Sequence, residues 1–159
     1  MNRPLIFAFL MLGAQVCMAA TTCRFVSGGG VAFGPYDTLS RASVDSSLNL
    51  LVSCDRSGGS QSVTLTVSLG TGINGPAVNN RRMAHSGGTG DFLSYGLFRD
   101  VSRSSVWGFS PGIDTVNQTL SVPNKGSAST TFTVYGRLPA QQNVSAGSYG
   151  DAVQITLSP

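Results

Sequence analysis

The chain has 159 residues, of which 41% are hydrophobic and only 11% charged, with ten Lys/Arg against seven acidic residues, all of them aspartate. That length predicts one domain, and so little charge, with no glutamate at all, excludes a coiled coil or a long solvated helix laced with ion pairs. Ser, Thr, Val and the 20 glycines are the vocabulary of short strands and turns, so an all-β domain is expected.

Residues 1–20 are read as a secretory signal peptide. Arg3 supplies the positive start, Leu5 to Ala14 is an apolar stretch, and Met18-Ala19-Ala20 ends it with small residues. The run is too short to span a bilayer, which needs about 20 apolar residues, and no second such run follows, so the mature chain is expected to carry no membrane span. Cys17 does not make a lipoprotein site, because Gln15-Val16 precede it where small residues are wanted. Cleavage leaves residues 21–159 as a single exported domain holding Cys23 and Cys54. An even pair of cysteines in an oxidising compartment reads as one structural disulfide rather than two free thiols.

Within the mature chain the dominant signal is alternation with a period of two. Leu48, Leu50, Val52 and Cys54 form one face of an expected strand, and Val63, Leu65, Val67 and Leu69 form that of the cleanest amphipathic strand in the chain. Phe132 and Val134 alternate with Thr131, Thr133 and Tyr135, while Val153, Ile155 and Leu157 alternate with Ala152, Gln154 and Thr156. Weaker strands are expected at 23–26, 31–36, 92–99 and 119–122. Gly/Ser/Pro-rich turns separate them, at 27–30, 57–60, 70–75, 86–90 and 123–126. Seven or eight short strands in one exported domain predict an immunoglobulin-like β-sandwich.

Chemistry finds little material. His85 is the one histidine, expected in a solvated loop, and although Asp91 and many serines lie nearby in sequence, no Gly-x-Ser-x-Gly elbow exists to present a nucleophile. Gly28-Gly29-Gly30 lacks the Lys-Ser/Thr of a phosphate loop. A single histidine with no Cys cluster and no calcium-loop spacing points to no metal. Nine basic residues scattered over the mature chain make no stripe for nucleic acid. The expectation is a protein without enzymatic activity or cofactor. Trp107 is expected in the core, and Arg137 and Asp151 are expected to pair across strands.

An ordered set of short stretches carries a resemblance: Phe33-Gly34-Pro35-Tyr36, Val52-Ser53-Cys54, Arg82-Met83, Leu93 to Asp100, Trp107-Gly108, Tyr135 to Val144 and Ala146 to Asp151. Over residues 23–159 the chain resembles the spore coat protein U domain found in archaic, Csu-type chaperone-usher pilins. The resemblance implies a sandwich lacking its last strand, with Val153, Ile155 and Leu157 forming the edge that accepts a strand from another chain. It implies a periplasmic chaperone, an outer-membrane usher and other pilin subunits as partners, and passage through the periplasm to a surface or extracellular fibre serving attachment and biofilm formation. Only Thr21-Thr22 precede Cys23 after cleavage, so the subunit is expected to accept a strand rather than give one. The alternative is a self-sufficient carbohydrate-binding sandwich or a spore or cell-coat protein.

Overall fold

A computed structural model describes residues 20–159; the leader expected at 1–20 lies outside the described residues except for Ala20. Nine strands follow in chain order: β1 (Thr21–Ser27), β2 (Val44–Arg56), β3 (Gln61–Leu69), β4 (Arg81–His85), β5 (Phe92–Phe98), β6 (Val116–Val122), β7 (Ser127–Leu138), β8 (Tyr149–Gly150) and β9 (Ile155–Ser158). No helix occurs among the described residues. The strands form a six-stranded sheet in the order β1-β2-β7-β5-β4-β8 and a three-stranded sheet in the order β6-β3-β9. Every pairing is antiparallel.

The all-β sandwich expected from the alternation is the fold observed. The residues expected to face inward do so: Leu50, Val52, Leu65, Val67, Phe132 and Val134 are each at most 2% exposed. Register produces this burial, because Leu50 lies opposite Phe132 on the β2–β7 ladder and both side chains fall on the same face. Cys23 lies opposite Cys54 on neighbouring strands, and the two are joined in a disulfide closing a separation of 31 residues. In the chain-entropy account such a loop stabilises by about 3–4 kcal/mol.

Two elements depart from the sequence reading. Residues 31–36 form no strand: Gly34 sits at φ 73° and Pro35 has no N–H to give a ladder. The segment runs instead as an extended strap whose Val31, Phe33 and Tyr36 still pack on the core. It is seated on Gly136 of β7, where a Cβ would come within 2.7 Å of Val31 and 2.8 Å of Phe33. The Tyr36 hydroxyl donates to Pro139 O (2.7 Å) and accepts from Gln142 N–H (2.9 Å), which ties the strap to the loop after β7. Conversely, His85, expected in a solvated loop, terminates β4 opposite Tyr149.

Candidate functional site: an open slot between the sheets

One flank of the sandwich is closed by side chains that reach backbone groups. Trp107 is fully buried, and its indole N–H donates to Val67 O at 3.0 Å. Beside it lies Arg81, also fully buried. Its guanidinium donates to Gly70 O, Val78 O, Leu69 O and Trp107 O at 2.7–3.1 Å. Burial pulls its pKa below the ordinary value, opposed by Tyr95 and Asp151 nearby. A rigid planar fork can satisfy several carbonyls where strand ladders end, which a lysine cannot. The loops after β3 and β5 are thereby locked against the sheet.

The far edge of the small sheet, at β9, is open. β9 pairs with β3 on one side only, Leu69 facing Ile155 and Val67 facing Leu157. Gly70 N–H donates to Gln154 O (2.9 Å) and Ile73 N–H to Ala152 O (3.1 Å). Backbone groups alternate in direction along a strand, so those of residues 152, 154 and 156 face β3. Those of Val153, Ile155 and Leu157 face away from it, where no strand of the described residues pairs with them. The same three side chains point inward yet are only partly buried. β1 approaches β9 to within 8 Å between Cα atoms, and the strap follows β1 along the chain. The slot widens there into a cavity of about 300 Å³, lined by Val31, Phe33, Leu48, Leu97, Val134 and Ile155 among others.

The polar boundary of this cavity is built from Asp151 and Tyr95. Asp151 accepts from the Tyr95 hydroxyl (2.7 Å), from the backbone N–H groups of Ile73 and Asn74, and from the Asn74 amide (3.0 Å). Burial and this carboxylate push the Tyr95 phenol well above its ordinary range. Asp151 thus holds the approach to β9 against the loop after β3, and the expected pairing with Arg137 is not formed. Arg137 instead grips Asp45, opposite it on β2, with two bonds of 2.7 and 2.8 Å. That bond and the charge beside it hold the Asp45 carboxyl below its usual value.

Residues weighed for catalysis are engaged structurally. His85 Nδ1 accepts from Gly87 N–H (2.9 Å), Nε2 lies 3.2 Å from Ala146 O, and the ring meets Tyr149 edge-on. Asp91 accepts from Ser145 N–H and the Thr89 hydroxyl, and its carboxyl is held low chiefly by Ser145. With both imidazole nitrogens facing backbone groups, neither is directed at a serine hydroxyl as a triad requires. Among the described residues, no cluster of three or more His, Cys or Asp side chains has the arrangement of a metal site.

Arg81, Tyr95 and the strap's seat on Gly136 escaped the sequence reading. Only the position of Phe33-Gly34-Pro35-Tyr36 hinted at the last, since aromatic residues around a Gly-Pro break mark a loop with something to bury.

Residues 9–156 match the family model of the Spore Coat Protein U domain. Protein U of Myxococcus xanthus is 34% identical over 163 aligned positions, covering 95% of this chain and 83% of that protein. Among solved structures, a chain in the CsuC-CsuE chaperone-tip adhesion subunit pre-assembly complex, from archaic chaperone-usher Csu pili of Acinetobacter baumannii, is similar in fold. Its TM-score is 0.50 at 22% identity, and the match covers 87% of this chain but only 39% of that one.

Proposed function

This chain belongs to the Spore Coat Protein U domain family, and from that premise we propose that it is an exported, pilin-like structural subunit completed by a strand from another molecule. The observation that carries this reading is the free edge of β9 and the segment leading into it, where Val153, Ile155 and Leu157 combine unpaired backbone groups with half-buried apolar side chains beside a cavity. An unpaired edge beside exposed core invites another strand. A strand laid between β1 and β9 gains hydrogen bonds along its backbone and buries alternate side chains. Four or five such side chains contribute about 6–15 kcal/mol before the costs of ordering.

The family and the solved complex support the wider assignment. A periplasmic chaperone occupies the slot in transit, an outer-membrane usher exports the subunit, and neighbouring pilin subunits fill the slot at the surface or in an extracellular fibre. Attachment and biofilm formation are the role of such a fibre, and the subunit itself carries no catalysis. No helix among the described residues is long and apolar enough to cross a membrane.

Thermal melts and light scattering of the chain lacking residues 1–20 test the reading. Alone, the protein is expected to self-associate or melt at low temperature; an extended peptide with alternating large apolar residues, or a co-expressed periplasmic chaperone, raises the melting temperature and yields a monodisperse complex. A stable monomer indifferent to both overturns the assignment.

A further inference from the structure

The outward face of the β6-β3-β9 sheet differs from the slot in both chemistry and direction. Along β3 its positions are Ser62, Thr64, Thr66 and Ser68, and it carries no charged side chain on any of the three strands. At the end where β3 and β9 meet the loops, this face sinks into a cavity of about 450 Å³, within the range of small-molecule sites. Phe109 and Ile73 stand over it, 56% and 77% exposed. Ser68, Thr71, Gln154 and Thr156 line the rest, with no charged residue among them.

Large apolar side chains this exposed, beside a polar concavity, mark a contact surface. The composition selects the ligand. An anion or cation finds no counter-charge. A wholly apolar ligand would strip water from the Ser68 and Thr156 hydroxyls and the Gln154 amide, for which no partner occurs among the described residues, and leave them unsatisfied. A pyranose ring offers the matching surface, an apolar C–H face for the aromatic ring of Phe109 and hydroxyls at its edge for the amide and alcohol groups. We infer that this cavity binds an uncharged polysaccharide segment, one sugar stacked on Phe109 and its hydroxyls bonded to Gln154, Thr156 and Ser68. The chain of sugars continues along the hydroxyl face, where Thr64 and Thr119 stand 3.4 Å apart. Because residues 154 and 156 project outward while 153, 155 and 157 face the slot, the site does not depend on whether the slot is filled.

The test is titration of the full secreted chain, alone and in its strand-complemented form, with cellohexaose, laminarihexaose and chitohexaose, followed by calorimetry and by NMR of the Gln154 side-chain amide. Polygalacturonate serves as the charged control. Saturable binding of at least one neutral hexasaccharide is expected, insensitive to salt and moving the Gln154 amide signal. Phe109→Ala weakens it about tenfold, equivalent to ~1.4 kcal/mol, and Gln154→Ala weakens it severalfold, both with unchanged melting temperature. Absence of saturable binding to all three sugars overturns the inference. So does salt-sensitive preference for polygalacturonate, or full affinity in Phe109→Ala.

Discussion

The two flanks of the sandwich use one alphabet to different ends. On the closed flank Leu65 and Val67 are completely buried, and the carbonyls around them are taken by Trp107 and Arg81. On the open flank Ile155 and Leu157, which lie opposite Leu69 and Val67 in the same small sheet, remain only partly buried with backbone groups turned to an empty edge. The side chains are alike in size and hydrophobicity. What differs is the number of neighbours: β3 lies between two strands, β9 beside one. Burial is a property of position in the sheet, so the closed flank holds fully packed core while the open one keeps its apolar side chains partly solvated.

The largest effects should come from breaking the closed flank. Trp107→Ala removes a fully buried indole and should cost about 3–5 kcal/mol. Arg81→Met strands the carbonyls of Leu69, Gly70, Val78 and Trp107 at about 1–3 kcal/mol for each that stays dry, and Arg81→Lys should restore little of it. Chemical denaturation reads both, and a donor peptide should raise variant and wild type by the same increment, leaving the deficit unchanged. A deficit that shrinks in the complemented forms would show that the two flanks are not independent.

A paired truncation sharpens the contrast. Leu65→Ala should cost about 2–5 kcal/mol whether or not the slot is filled. Ile155→Ala should cost about half as much or less in the isolated chain, since its side chain is already partly solvated, and more once a strand covers it. Equal costs in the free chain would mean that β9 is already buried in solution.

The smallest effect lies on the outer face. Asp45 accepts from Arg137, which depresses its folded pKa, so the pair contributes above about pH 4, where unfolded aspartate is ionised, and is lost as pH falls through the depressed value. The groups are exposed, so Arg137→Gln should cost at most about 1 kcal/mol. That cost should be full at neutral pH and fade as pH falls below about 4, so the stability-versus-pH curves of variant and wild type converge in acid.

Much of the fold was legible because alternation is written in adjacent residues. Leu48 to Cys54 and Val63 to Leu69 announce both strand and inward face, and the sheets bury them as read. The strap at 31–36 has the same alternation and failed as a strand because Gly34 and Pro35 break the ladder that periodicity alone does not test. Arg81 escaped for a different reason. Nothing local to Arg81 says that the carbonyls of residues 69, 70, 78 and 107 converge on it. The same holds for Asp151, whose partners Tyr95 and Asn74 are more than fifty residues away and outcompete the expected Arg137.

The sequence by itself determined that this is an all-β chain, where its principal strands lie and which side of each is apolar. These follow from local chemistry: side chains alternate across a strand, and Gly and Pro interrupt it. Only the tertiary structure decided that β9 lies beside β3 with its far edge unpaired, that the strap seats on Gly136, and that the slot opens between β1 and β9. Adjacency of strands depends on which distant surfaces bury one another and where converging carbonyls find a donor, and that is settled by the packing of the whole chain.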